Sequence, residues 1–374
     1  MITSALRTVA HYSDSEAFGG TERALLQLVA DLDREKWRSV LFHAAVPGAE
    51  QVALEARALG AIVHPVARVT RPMEGVSSLP SLAMSLRRAR VAVFHAHQTW
   101  SLSCRYGIVA ASIARVPAIV ASMQLFIEMP PLAGIDLQYA FLSRCLDRHI
   151  AVSRSVAARL RGRFHAPDAK MRVIPNAITL RLPVPPDQRL RAELAGDDST
   201  PLVLTVARLD AQKGVGFLLD AAAALPEAAF VIAGDGPERA ALEARAEALG
   251  LDDRVRFLGH RRDVPSLLAV ADVFVLPSLY EGLPLSVMEA MAANVPVVAT
   301  AIGGTDEIVR DGETGWLVAP GDGRALAAGI RAVLVDRERA VRIADAALDY
   351  VTREHSSAAM AAEVGRLYEE LLRR

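Results

Sequence analysis

VFVLPSLYEGLPLSVMEAMAANVPVVA, residues 273–299, decides how the rest of the chain is read. Val273–Leu276 is a short apolar run of strand length. SVMEAMAA, residues 286–293, reads as a helix on propensity, and Val297–Ala299 is a second short apolar run. Strand, helix and strand in that order make a βαβ unit, whose two strands lie parallel in one sheet. The turn before the helix is Glu281-Gly282-Leu283-Pro284, and Pro284 suits the first helical position, where a missing N–H costs nothing. A turn feeding a helix N-terminus offers free backbone N–H groups and a partial positive charge, which suits a phosphate. Glu281 sits on the loop just ahead of the helix and Glu289 lies one to two turns inside it. Carboxylates accept hydrogen bonds from hydroxyls, so the pair suits a sugar on either side of that phosphate.

The same alternation of short apolar runs and helical patterns fills both flanks and predicts an α/β protein with parallel sheets. In the first half the expected strands are Arg7–His11, Ser39–Ala44, Ile62–Pro65, Val91–His95, Ala118–Ala121, Arg148–Val152 and Met171–Ile174. Helices are expected near Thr21–Leu32, Gln51–Leu59, Leu79–Arg88 and Ser155–Gly162. Leu182–Pro186 (LPVPP) and Gly196–Pro201 (GDDSTP) then bracket one short helical piece, and Pro and Gly at that density read as a linker. A second set of units starts at Leu202–Val206. Its strands are Ala229–Ala233, Val255–Leu258, Val273–Leu276, Val297–Ala299 and Gly315–Val318. Its helices lie near Val215–Ala224, Pro237–Leu249 and Val264–Ala269, and helical patterns run on from Asp322 with breaks near Asp336 and Thr352.

A chain of 374 residues, 52% hydrophobic and 23% charged, can bury two domain cores. The net charge of −1 makes no case for nucleic acid. The charge is unevenly spread: residues 1–180 carry 21 Lys+Arg against 13 Asp+Glu. A basic front half suits an anionic substrate or an anionic membrane surface, or reflects an uneven fall of arginines. Cys104 and Cys145 are the only cysteines and suggest neither a disulfide framework nor a metal site. The N-terminal stretch lacks an apolar core of signal-peptide length, and no apolar run is long enough to span a bilayer. The expected compartment is the cytoplasm, with peripheral contact at the inner face of a membrane left open.

Other motifs add to this reading. Val206–Gly214 (VARLDAQKG) places Arg208 and Lys213 where a strand gives way to a helix, the edge of a parallel sheet that ligands favour. Arg grips two phosphate oxygens and Lys supplies a point charge, and Lys213 is one of only three lysines in the chain. Ala233–Arg239 (AGDGPER) reads as a tight turn opening a helix at Pro237, and it lacks the spacing of a dinucleotide fingerprint. Phe94–Ser101 (FHAHQTWS) puts His95 and His97 at a strand end, a poor metal site without further ligands. Asp31-Leu32-Asp33 reads as solvated charge at a helix end. Met123–Tyr139, apolar and containing Pro130-Pro131, reads as a loop, packed on the core or reaching an acceptor or a membrane. Gly19-Gly20-Thr21-Glu22 and Gly303-Gly304-Thr305-Asp306 each read as a glycine-rich strand-to-helix loop.

Taken in order, GGTE, HAH, VIPN, VARLDAQKG, GDGP, the glutamates of E-x7-E and GG-x-x-E-I-V resemble a retaining glycosyltransferase of the GT-B architecture, family four (glycosyl transferases group 1). The resemblance covers nearly the whole chain and is most specific over Leu202–Pro320. It implies two Rossmann-like parallel-sheet domains facing across a cleft. Residues 1–180 would be the acceptor-binding domain and 181–353 the nucleotide-sugar-binding domain, with a C-terminal helix at about 354–374 packing back on the first. By resemblance, Gly19 and Gly20 approach the donor phosphates and the acceptor, and His97 touches the donor sugar. Arg208 and Lys213 bind the diphosphate. Glu281 reads the sugar hydroxyls and Glu289 holds the ribose. Gly282, Leu283, Pro284 and Leu285 line the donor pocket, and His260 and Arg261 fall on the base-binding loop. His97, Arg208, Lys213 and Glu281 form the implied catalytic set, with no metal and no cofactor.

The implied partners are a nucleotide-sugar donor, with uridine the commonest base, and a glycan, lipid-linked or small-molecule acceptor. Two departures stand out. Pro175-Asn176-Ala177-Ile178-Thr179 replaces the glycine and aspartate of the family's VIPNGVD, and Ser122-Met123-Gln124 stands where many members carry a histidine. Two other readings stay open: a sugar-nucleotide-binding protein that has lost catalysis, and a GT-B sugar-nucleotide epimerase.

Overall fold

The computed structural model describes residues 6–128, 133–180, 184–197 and 199–373. Pro130, Pro131, Leu182, Pro183 and Asp198 of the motifs above lie outside those residues. The chain forms two compact units, Met1–Thr179 with Ser357–Arg374, and Leu180–Ser356.

The first unit contains β1 (Arg7–Ser13), α1 (Gly20–Asp31), β2 (Trp37–Ala44), α2 (Glu50–Ala58), β3 (Ile62–Val66) and α3 (Pro72–Arg88). It continues with β4 (Val91–Gln98), α4 (Arg105–Ala114), β5 (Ala118–Met123), α5 (Ala133–Cys145), β6 (Arg148–Ala151), α6 (Arg154–Phe164) and β7 (Met171–Val173). The second unit holds α7 (Gln188–Ala195), β8 (Leu202–Val206), α8 (Val215–Ala223), β9 (Ala229–Ala233), α9 (Arg239–Ala248), β10 (Val255–Gly259) and α10 (Val264–Val270). There follow β11 (Val273–Leu276), α11 (Leu285–Ala292), β12 (Val297–Thr300), β13 (Trp316–Val318), α12 (Gly323–Val335) and α13 (Arg337–Glu354). The chain then returns to the first unit as α14 (Ser357–Leu372).

Both sheets are parallel, in the orders β3-β2-β1-β4-β5-β6-β7 and β10-β9-β8-β11-β12-β13. Central strands such as β9, buried at every residue, are apolar throughout because helices cover both faces. Helix α14 supplies Ala361, Val364, Leu367, Tyr368 and Leu371 to the core that covers Val9, Val93 and Val120 of the first sheet. A separate core in the second unit centres on Val203, Phe230, Ile232 and Val275 of its sheet.

Several elements depart from the sequence expectation, each for a local reason. Helix α3 begins at Pro72 rather than near Leu79. Glu74 accepts hydrogen bonds from the N–H groups of Thr70 and Arg71 and from the Thr70 hydroxyl, which caps the earlier start. Helix α4 was not expected. It is entered through Cys104 in the left-handed conformation (φ 61°), so no side-chain cap marks it in the sequence. Part of the supposed loop Met123–Tyr139 is helix α5. Gly303–Asp306 folds into successive turns and opens no helix. Pro284 is the extended N-cap of α11, not its first residue, and α9 starts at Arg239, just past Pro237. The final break falls at His355 and Ser356 instead of near Thr352.

Candidate functional site

In the second sheet β8 and β11 are neighbours, and the strand order runs outward from them in opposite directions. The carboxyl ends of two such strands open a crevice that helices on the two faces cannot cover. The loop after β8, residues 207–214, carries Arg208 and Lys213. The loop after β11, residues 277–284, carries Glu281. Backbone and side chain lace the two loops together: Leu279 N–H donates to Gln212 O at 2.7 Å, and Gln212 Nε2 donates to Tyr280 O at 2.9 Å. Gly214 (φ 62°) allows this approach, since a Cβ there would stand 2.3 Å from Pro277 O.

The side chains converge on one carboxylate. Lys213 Nζ lies 2.5 Å from Glu281 Oε1, with side chains 20% and 7% exposed. Ser278 Oγ donates to the same oxygen at 2.7 Å. Asp210 caps the turn that carries Lys213: its Oδ1 accepts from the Lys213 backbone N–H at 3.3 Å and its Oδ2 lies 3.4 Å from Arg208 Nε. Arg208 is otherwise 58% exposed, so most of its guanidinium is open to a ligand. Gly282, Leu283, Pro284 and Leu285 are buried along the turn. Helix α11 follows, and the N–H groups of its first turn have no intrahelical acceptor. Glu289 lies in the second turn, partly buried. Gly304 (φ 95°), on the loop after β12, comes so close that a Cβ would meet Gly282 O at 2.2 Å.

His260 and Arg261 sit apart from this centre, after β10, two strands away from β8. Arg261 there pairs through two nitrogens with Asp263, at 2.8 and 2.6 Å.

The first unit repeats the topology, with β1 and β4 at its reversal point. Gly19 is the N-cap of α1 and Gly20 its first residue. Glu22, buried at 2% exposure, takes Gly19 N–H on Oε2 at 3.0 Å and Ser13 Oγ on Oε1 at 3.2 Å, fixing the loop after β1. Burial pushes the Glu22 carboxyl up, against the pull of these donors. His97 is fully buried in a cluster of three histidines. His11 Nδ1 lies 3.1 Å from His97 Nε2, and the His95 and His97 rings stack at 4.2 Å. His95 is spanned by Tyr368 Oη on Nδ1 and Ser122 Oγ on Nε2, both at 2.6 Å. Burial holds all three imidazoles neutral, His11 down to about 3 and the other two well below the ordinary value. One nitrogen from each ring falls within 4.8 Å of the others. Both nitrogens of His95 are already engaged by hydroxyls, and the His11–His97 hydrogen bond occupies one more lone pair, which leaves a poor cation site.

Lys213 and Glu281, expected at one donor pocket by resemblance, stand on neighbouring loops and touch. His11, Glu22, Asp210 and Ser278 join the two sites without having been singled out by the sequence motifs. Glu22 was visible as the third residue after an N-cap. Asp210 and Ser278 act through local hydrogen bonds that no spacing announces.

Residues 18–182 match the family described as Glycosyltransferase Family 4, and residues 186–349 match Glycosyl transferases group 1. The chain is 36% identical over 190 residues to the alpha-D-kanosaminyltransferase of Streptomyces kanamyceticus, covering 48% of this chain and 49% of that one. It is 32% identical over 246 residues to the lipopolysaccharide core biosynthesis mannosyltransferase LpsB of Rhizobium meliloti, covering 62% and 68%. The alignments therefore span about half to two thirds of these relatives' length. Among solved structures, Anabaena HepE in complex with UDP and glucose superposes with a TM-score of 0.85 at 24% identity, over 97% of this chain and 100% of that one.

Proposed function

This chain belongs to the glycosyl transferases group 1, and from that premise we propose that it transfers a sugar from a uridine diphosphate sugar to an acceptor hydroxyl. The observation that carries the reading is the Lys213–Glu281 contact at the β8/β11 crevice, beside an exposed Arg208 and the N-terminus of α11. That set offers cations and N–H groups for a diphosphate, with a carboxylate next to them for hydroxyls. The relatives named for kanosaminyl and mannosyl transfer support a hexose as the group moved. The UDP and glucose held by the Anabaena protein support uridine as the base.

In the reaction the bond from the anomeric carbon to the β-phosphate oxygen breaks and a bond to the acceptor oxygen forms on the same face. The acceptor proton passes to the departing phosphate. Positive charge spreads over the sugar and negative charge grows on the diphosphate. Arg208, Lys213 and the first turn of α11 stabilise that growing charge, without calling on a metal or a cofactor. Glu281 orients the sugar and is not a nucleophile.

The acceptor is a glycan hydroxyl, and a lipid-linked one is the reading we favour. LpsB is named for lipopolysaccharide core biosynthesis. Leu137 and Phe141, one turn apart on α5, are 74% and 53% exposed on a unit with excess basic charge. Among the described residues no helix is long and apolar enough to cross a membrane, so contact with a lipid surface would be peripheral. Two free cysteines are consistent with work in the cytoplasm.

The test is incubation with a panel of UDP-sugars, with and without lipid-linked glycan and simple glycoside acceptors. UDP release and product are followed by chromatography and the anomeric proton by NMR. Acceptor-dependent release of UDP with retained configuration is expected. Binding without turnover on any acceptor would instead mark a sugar-nucleotide-binding protein, and free UDP and sugar without acceptor an epimerase.

A further inference from the structure

Glu281 receives both of its hydrogen bonds on one oxygen. Lys213 Nζ and Ser278 Oγ both reach Oε1, and no donor among the described residues reaches Oε2. The two donors differ in how firmly they are held. Lys213 has a flexible four-carbon stem and three N–H groups. It can turn toward an anion, either keeping or giving up Glu281. Ser278 cannot turn. It is fully buried, and its carbonyl accepts from Thr300 Oγ1 at 2.5 Å at the end of β12. Thr205 on β8 likewise donates to Val275 O at 2.8 Å, which ties the strand leading to Ser278 to its neighbour.

A carboxylate with a side chain only 7% exposed is poorly hydrated, so losing its last donor would be costly. We infer that Ser278 is a positioning residue. Its hydroxyl holds Glu281 in place when Lys213 is drawn to a diphosphate, and it leaves Oε2 turned to a hydroxyl of the transferred sugar. The inference rests on the nucleotide-sugar reading given above. It adds a residue that would discriminate sugar-bearing from sugar-free nucleotides while touching neither.

The experiment compares the full chain with Ser278→Ala and Ser278→Thr. Calorimetry is run with UDP and with whichever of UDP-glucose, UDP-galactose, UDP-N-acetylglucosamine and GDP-mannose the wild type binds best, using GDP for the last. Ser278→Ala should bind the bare nucleotide within about twofold of wild type and the nucleotide-sugar roughly tenfold or more weakly, the size of one hydrogen bond to a charged group. Ser278→Thr, which keeps the hydroxyl, should recover most of the difference. Ser278→Cys, a poor donor, should lose in the same direction and serves if the alanine variant does not fold. Equal losses for both ligands, or no loss for either, overturn the positioning role alone. A wild type that binds none of these nucleotides overturns the function reading, and this inference with it.

Discussion

Tyr368 Oη meets His95 Nδ1 at 2.6 Å, joining the helix that re-enters the first unit to the strand at that unit's reversal point. The tyrosine is completely buried, and its ring also packs edge-on against Trp37. Tyr368→Phe keeps the ring and removes the hydroxyl, leaving a buried imidazole nitrogen without its partner. A loss of about 1–3 kcal/mol is expected, read as a lower urea midpoint at unchanged m-value. An unchanged midpoint would mean that water replaces the hydroxyl.

Acid should weaken the fold well above the range where carboxylates titrate. Burial lowers His11 to about 3 and His149 to about 4, from an ordinary 6.5. Below pH 6.5 the unfolded chain takes up protons that the folded chain refuses, so stability is full above that pH and is lost as pH falls toward the folded values. At pH 5 the loss is on the order of 2 kcal/mol for each of the two groups. Urea unfolding at pH 7.5 and pH 5.0 measures it, and equal free energies would show that these rings are protonated in the folded protein.

Lys213→Ala should lower transfer by on the order of 10²–10³, the usual cost of one group stabilising a leaving charge. Glu289→Ala should abolish most transfer as well. Lys213 is 20% exposed and Glu289 is partly buried, so each variant's fold is checked by circular dichroism before its rate is read. UDP release at saturating donor reads the effect. Near-normal turnover in both variants would remove these residues from the site.

Gly304→Ala tests the apposition of the loops after β11 and β12. The backbone angle there is strained for any other residue, and the added carbon would stand 2.2 Å from Gly282 O. The loop must shift, and with it the turn ahead of α11. Donor affinity is expected to fall by at least tenfold, a change of about 1.4 kcal/mol, while far-UV circular dichroism stays unchanged.

Much of this architecture could be read in the chain because parallel strands buried on both faces are near-continuous apolar runs. Leu202–Val206, Ala229–Ala233 and Val273–Leu276 match their strands to the residue. What could not be read depends on contacts distant in sequence. Helix α4 starts on a left-handed Cys104 held by Asp14, ninety residues away, whose Oδ2 accepts the Cys104 N–H at 2.6 Å. Gly303–Asp306 has the composition of a helix start, yet its glycine is used for close approach to another loop. His97 looked like one of a pair. Its nearest polar partner, His11, comes from a strand adjacent in space and 86 residues away. Ser278 had no signal at all, since a buried serine beside a glutamate is visible only once the turn is folded.

The first unit is an interrupted one: the chain leaves it at Thr179 and comes back at Ser357. During synthesis the strands described for it leave the ribosome before the helix that completes the core over Val9, Val93 and Val120. Val9, Val93 and Val120 then wait without Leu367 and Tyr368 until residues 180–356 have been made. The second unit, one unbroken segment, can close in the meantime. A nonsense codon just after residue 356 would therefore release a finished second unit tethered to a first-unit core that lacks Leu367, Tyr368 and Leu371, a product for chaperones and proteases.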